Sequence, residues 1–164
     1  MDYFHTYQSI EDLKVFELAE RLKNCQKLQL KEIKFSDILY NIESLVGVYI
    51  FYDENNNAMY VGKTEGRSFL ERLAAHFDLR HQGYMNHLLK ALTGKPRGKN
   101  SPIQNEDLIQ AYHLLINFGI CFISLYDKEK IRKVEIVLRQ ELKPVYNRYS
   151  SKQILDSNRT LKSL

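Results

Sequence analysis

The clearest pattern of apolar and polar positions lies in GVYIFYDENNNAMYVGKT, residues 47–64. Two short runs of β-branched and aromatic residues flank the polar cluster Asp53-Glu54-Asn55-Asn56-Asn57, which predicts a β-hairpin. With an even-numbered loop, Asp53 pairs with Ala58 and Phe51 with Tyr60. Side chains alternate along a strand. One face then holds Val48, Ile50, Tyr52, Met59 and Val61, a core face. The other holds Tyr49, Phe51, Asp53, Ala58, Tyr60 and Gly62. Tyr49 and Tyr60 become diagonal neighbours within reach of each other. A loop of three residues would slip the register by one and part them, so the clean apolar face favours the even loop.

Elsewhere the apolar period is helical. Residues 9–26 read as an amphipathic helix with Ser9 as N-cap and Leu13, Phe16, Ala19 and Leu22 on its inner stripe. Ser36 caps a short second helix, DILYNIE. Further helices are expected over 68–79, 84–92, 106–116 capped by Asn105, and 128–142 capped by Asp127. Pro144 ends the last of these. FGICFISLY, residues 118–126, reads as a third, largely buried strand. TGKPRGKNSP is a basic loop. It is either a solvated surface or a phosphate-tracking segment that places Lys95, Arg97 and Lys99 on a polyanion.

A chain of 164 residues is long enough for one domain with a real core. The net charge of +4 is uneven: residues 1–45 carry eight acidic and six basic side chains, the remainder twelve and eighteen. A basic body with an acidic N-terminal segment points weakly to a polyanionic partner. Cys25 and Cys121 stand far apart with no metal-ligand spacing, and read as two reduced thiols of a cytosolic protein. MDYFHTYQSIEDLK lacks a basic segment followed by an apolar one, so no signal peptide is expected. The longest apolar stretch, HLLINFGICFISLY, is broken by Asn117, Gly119 and Ser124. It falls short of the roughly 20 residues a bilayer span needs. The expectation is a cytoplasmic protein with no membrane partner.

Two helices carry candidate chemistry. On the helix expected over 68–79, Phe69, Leu70, Leu73 and Phe77 form the buried stripe. Arg72 and His76, four apart, stack at its edge. On 128–142 the stripe is Ile131, Val134, Val137, Leu138 and Leu142, with Glu135 at its margin. A marginal glutamate is usually a solvated charge. It is also a candidate magnesium ligand, since that ion often takes only one or two protein carboxylates.

Taken together, these pieces resemble the GIY-YIG nucleases. The first tripeptide appears as Gly47-Val48-Tyr49 and the second as Tyr60-Val61-Gly62, followed by Lys63-Thr64. The family's helix arginine matches Arg72, and the histidine that phage homing endonucleases carry four residues later matches His76. The metal-binding glutamate falls on Glu135. The closing asparagine falls on Asn147 in ELKPVYN, a spacing similar to the nuclease module of excision-repair incision subunits. Valine replaces isoleucine in both tripeptides.

The resemblance covers roughly residues 46–148. It implies an α+β fold with a small three-stranded antiparallel sheet flanked by helices. Residues 1–45 would be an N-terminal helical extension, about 93–113 an insertion, and 149–164 a basic tail. It further implies a metal-dependent endonuclease acting on DNA, of restriction, defence or mobile-element type. An RNA-cleaving effector and a non-catalytic nucleic-acid-binding module are the alternatives. One divalent ion on Glu135, Mg²⁺ or else Mn²⁺, would neutralise phosphate charge. Arg72 would grip phosphate oxygens. Tyr49 is the first choice for the base that activates water, with Tyr60 positioning phosphate and His76 the runner-up base. Gly47, Gly62, Lys63 and Asn147 would support the site, and His87 is a weaker candidate phosphate contact. Cutting both strands would call for a homodimer or two binding events.

Overall fold

The computed structural model describes residues 3–39, 45–80, 83, 85–96, 101–147 and 156–163. Its elements in chain order are β1 (Phe4–Thr6), α1 (Val15–Asn24), β2 (Leu28–Gln29), α2 (Phe35–Leu39), β3 (Gly47–Tyr52), β4 (Ala58–Thr64), α3 (Phe69–His76), α4 (His87–Leu92), α5 (Asn105–Leu115), β5 (Gly119–Ser124) and α6 (Lys128–Leu142). Among these residues no helix is long and apolar enough to cross a membrane.

The hairpin β3–β4 forms where the alternation predicts it, but by another route. Asp53 N–H donates to the Asn57 carbonyl and Asn56 N–H to the Asp53 carbonyl. Asn56 takes φ 60°. This closes a loop over residues 54–56 with a left-handed residue, a common hairpin solution. The Asp53 carboxylate accepts from the backbone N–H groups of Asn55 and Asn57, holding the turn. The even loop is therefore incorrect. An irregularity between Phe51 and Tyr52 absorbs the odd residue, so Phe51 still pairs with Tyr60, and Tyr49 lies opposite Gly62. Tyr52 rather than Asp53 faces Ala58. Ala58 joins the face of Val48, Ile50 and Tyr52, while Met59 packs on that of Tyr49 and Phe51.

Among the described residues the sheet is mixed and has five strands, not three antiparallel ones. The expected antiparallel trio is present, with β3 between β4 and β5. Two short strands from residues 1–45 then share the outer edge of β5. β1 lies parallel to its C-terminal half and β2 antiparallel to its start. Strands of three and two residues are too short to show a period. What holds β1 is tertiary: the Phe4 ring stacks on Phe122 at 4.6 Å. The N-terminal segment thus supplies strands as well as helices. Its main helix starts at Val15, and the Ser9 hydroxyl donates to the Thr6 carbonyl instead of capping it.

Helices cover both faces. α1 and α6 pack on Val48, Ile50, Tyr52, Val61, Cys121 and Ile123. α3, α4 and α5 pack on Tyr49, Phe51, Ile120 and Phe122. Local signals start and stop the helices that carry the site. Ser68 and Glu71 form a reciprocal capping box ahead of α3, satisfying N–H groups that a helix start leaves open. Asp127 accepts from Lys130 N–H at the start of α6. Lys143 in the left-handed conformation ends α6 before Pro144.

The next residues run along the free edge of β4. Val145 and Tyr146 N–H groups donate to the Ala58 and Met59 carbonyls. In the stretch read as a basic tail, residues 156–163 pack back on the N-terminal segment. Thr160 bridges Lys14, and Leu161 is buried among core residues.

Candidate active site

The two glycines of the tripeptides have separate steric reasons. Gly47 has φ 148°, and a Cβ there would stand 2.0 Å from the Ile123 carbonyl oxygen. Gly62 lies under the Tyr49 ring, where a Cβ would come within 2.2 Å of its Cζ. The missing side chain lets the phenol lie across β4 toward α3.

That phenol is the hub of the site. Its oxygen accepts from Arg72 Nε at 3.0 Å and lies 2.7 Å from His76 Nε2. Tyr49 and His76 are both fully buried, deeper than a position at the stripe's edge would give. Burial, aided by the positive charges of Arg72 and His87, lowers the His76 pKa to about 3. The imidazole is therefore neutral at pH 7, and in its Nδ1–H tautomer Nε2 accepts from the Tyr49 O–H. Burial and the neighbouring Tyr60 push the Tyr49 phenol well above its ordinary value, against the pull of Arg72. The Tyr60 ring packs on both, 5.4 Å from His76 and 6.2 Å from Tyr49 between centroids. One guanidinium nitrogen, Arg72 Nη1, is buried without a hydrogen-bond partner.

Beside this group opens a cleft of about 310 Å³ lined by Tyr60, Lys63, Thr64, Glu65, Gly66, Arg67, Arg72, Met85 and Glu135. α3 supplies Arg72 and α6 supplies Glu135, with the end of β4 between them. Glu135 lies 3.4 Å from Lys63 Nζ and 3.6 Å from Arg139. Lys63 also pairs with Glu65 at 2.9 Å. Arg132 grips both oxygens of Glu65. Arg132 and Lys63 together hold the Glu65 carboxyl at about 2.

Asn147 does its work through both ends of its amide. Oδ1 accepts from Val61 N–H at 2.7 Å and Nδ2 donates to the Val61 carbonyl at 2.8 Å. The side chain pairs with β4 as a neighbouring strand would, and ties the end of α6 to the strand that carries Tyr60.

The fold thus brings Gly47, Tyr49, Tyr60, Gly62, Lys63, Arg72, His76, Glu135 and Asn147 into one region. It does not bring the loop residues there. Lys95 is paired with Asp107 at 2.7 Å, and Arg97 and Lys99 lie outside the described residues. His87 opens α4 on the surface and reaches the site through its charge on His76. Glu65, Arg132 and Arg139 are charged residues of this region that the sequence reading did not single out. Arg139 had a signal, four residues after Glu135 on one helix face. Glu65 and Arg132 are 67 positions apart and had none.

The family model of the GIY-YIG catalytic domain matches residues 45–101. The match supports membership of the GIY-YIG nuclease superfamily. The match includes both tripeptides, Arg72 and His76, and stops before Glu135 and Asn147. A GIY-YIG domain implies nuclease activity in general, and with it a nucleic-acid substrate. No curated protein and no solved structure matches the chain.

Proposed function

We propose that the protein is a metal-dependent endonuclease that hydrolyses phosphodiester bonds in DNA. The observation that carries this reading is the Tyr49 hydroxyl, held between Arg72 and His76 beside a cleft lined by both Arg72 and Glu135.

The donor set fits a hard divalent cation. The Lys63 and Arg139 contacts to Glu135 are longer than direct N–H···O bonds, so its carboxylate keeps acceptor capacity. Among the described residues no three His, Cys, Asp or Glu side chains converge as ligands. Glu135 would therefore be the one carboxylate ligand, with water and substrate phosphate completing the shell, as suits Mg²⁺ better than a protein-caged ion. When bound, the ion supplies charge neutralisation at the scissile phosphate and the leaving oxygen.

The chain's own residues do the rest. Arg72 Nη1 is placed to donate to a phosphate oxygen in the cleft. As the guanidinium turns to phosphate it releases the Tyr49 lone pair that its Nε now occupies, and that lone pair becomes open to water. Tyr49 then accepts the water proton while passing its own to His76 Nε2. His76 is neutral and so has an Nε2 lone pair for that proton, and the negative charge that arrives with the phosphate offsets the burial that disfavours its cation. Tyr60, on the cleft wall, orients the phosphate. Asn147 fixes the strand that carries Tyr60.

The decisive experiment incubates the protein with plasmid, single-stranded DNA and RNA, with and without Mg²⁺, beside Glu135→Gln. We expect metal-dependent cleavage of DNA by the native protein. The variant should bind DNA in the presence of metal and cut at least ~10³-fold more slowly, the scale of losing several kcal/mol of charge stabilisation. Robust cleavage in excess EDTA, or by Glu135→Gln, would rule out this metal site. Cleavage of RNA alone would move the substrate assignment.

A further inference from the structure

The cysteines, 96 positions apart in the chain, meet in the fold on the sheet face opposite Tyr49. Cys25 follows the last turn of α1 and is partly exposed. Cys121 sits mid-strand in β5, opposite Ile50, and is fully buried. The pairing of Leu28 with Ile120 draws the end of α1 over β5, where Cys25 packs on the buried cluster that includes Cys121 and hydrogen bonding to Cys121 is the chief influence on its thiol. His5, on neighbouring β1, lies against Cys25. Lys27 places its ammonium 4.7 Å over the ring of Tyr52 beside them.

Two buried polar atoms here have no well-formed hydrogen bond: His5 Nε2 and the Tyr52 hydroxyl. Buried polar atoms are rarely left so. The group is not a metal centre, since no three ligating side chains converge among the described residues. It has no part in the nuclease chemistry proposed above.

We propose that Cys25 and Cys121 form a peroxide-reactive dithiol that closes to a disulfide. The Cys25 thiolate attacks one oxygen of hydrogen peroxide, the O–O bond breaks, and hydroxide leaves to be protonated to water. Cys25 is then a sulfenic acid. The Cys121 sulfur attacks the Cys25 sulfur, the S–S bond forms and the S–O bond breaks. The Cys121 proton goes to the departing hydroxide, giving a second water. Peroxide is reduced by two electrons and the two thiols supply them.

The division of labour follows from the surroundings. Contact with Cys121, His5 and Lys27 draws the Cys25 thiol well below its ordinary value, against the cost of its burial. Burial pushes Cys121 up. The partly exposed thiol is thus the one that ionises and meets peroxide, and the buried one resolves. One contact opposes this: Cys25 Sγ donates to the Leu22 carbonyl at 3.3 Å at the negative end of α1. His5 and Lys27 offset it.

The test treats the native full chain with hydrogen peroxide, blocks remaining thiols with an alkylating agent and maps peptides without reduction. We expect one cross-linked pair containing Cys25 and Cys121, reversed by dithiothreitol. The oxidised protein should melt higher by on the order of 10 °C, as the bond closes a loop of about a hundred residues. In Cys121→Ala, dimedone should trap Cys25 as the sulfenic acid. His5→Gln should slow Cys25 oxidation roughly tenfold by lowering its thiolate fraction. The proposal fails if both thiols of the native protein alkylate after peroxide as they do before it. It fails equally if only intermolecular disulfides form, or if Cys25 proceeds to sulfinic acid uncrosslinked. The map of the native chain decides this even if Cys121→Ala does not fold.

Discussion

Ile50 and Tyr49 are neighbours in β3, both fully buried, and face opposite ways. Ile50 looks toward α1 and α6, into a face whose β3, β4 and β5 residues are mostly aliphatic. Tyr49 looks toward α3, into aromatic rings with a histidine and an arginine among them. One strand thus serves two environments, and the two-residue period of the pleat keeps them apart. The aliphatic face holds its shape by packing alone. The aromatic face buries polar groups, and those are costly unless each has a partner. The difference predicts that damage on the first face lowers stability and spares the rate per folded molecule. Damage on the second should lower both.

The largest expected effect is at Tyr49. Tyr49→Phe should slow cleavage by about 10²–10⁴-fold, the range for losing a general base. It should also destabilise by about 1–3 kcal/mol, because His76 Nε2 is left buried without its donor. Single-turnover rates and denaturant melts read the two separately. A variant that cuts at the native rate would remove Tyr49 from the chemistry and leave it a packing residue.

Ile50→Ala is the matched control one residue away. Its loss should be about 2–5 kcal/mol of stability, with the cleavage rate per folded molecule within a factor of two or so of the native rate at a temperature where it is folded. Should its rate drop as far as that of Tyr49→Phe, the two faces are not separable and the comparison breaks.

A smaller effect comes through pH. His76 stays neutral in the fold down to about pH 3, whereas in the unfolded chain it takes a proton near 6.5. Between those values the unfolded state binds the extra proton, so stability is full above pH 6.5 and falls as pH drops toward 3. Glu65 and Asp78, both held at about 2, add a separate loss only below about 4.5, while Cys25, drawn well below its ordinary value, adds a loss in the His76 window that is common to the native chain and the His76 variant. Melting curves from pH 7 to pH 5 should therefore fall for the native chain and be flatter for His76→Gln. Equal slopes would mean the imidazole gains a proton without cost.

The smallest effect concerns Lys95. It is already paired with Asp107, so Lys95→Ala should change the slope of log-affinity against log-salt by less than the ~0.9 of a full duplex phosphate contact. A change of that full size would put Lys95 on the substrate.

What the sequence made legible was whatever local rules control. α6 runs over its expected span because Asp127 starts it and Pro144 follows it, and α3 is marked by the Ser68–Glu71 box. The period placed the site residues on β3, β4, α3 and α6 at strand and stripe-edge positions that ordinary packing and surface residues also occupy, and only the resemblance to the GIY-YIG nucleases singled them out. The bulge at Phe51/Tyr52 was not legible, since it is set by twist and loop closure between strands. β1 and β2 were missed because so few residues carry no period. The complete burial of His76 depends on Phe51, Tyr60 and Tyr49 closing over it, which no helical wheel contains. The meeting of Glu65 with Arg132, and of Cys25 with Cys121, is purely tertiary.

The parallel pairing of β1 with β5 has a consequence for the order of assembly. Phe4 must find Phe122, so a strand that leaves the ribosome early waits for one made more than a hundred residues later. The β3–β4 hairpin closes through a local turn and can form at once, whereas β1 has no partner until β5 has docked on β3. Contacts so distant in sequence slow folding. The last event is then the docking of the N-terminal segment, with α1 settling onto α6. A refolding experiment should see the hairpin's aromatic face become protected first and the Phe4–Phe122 stack last.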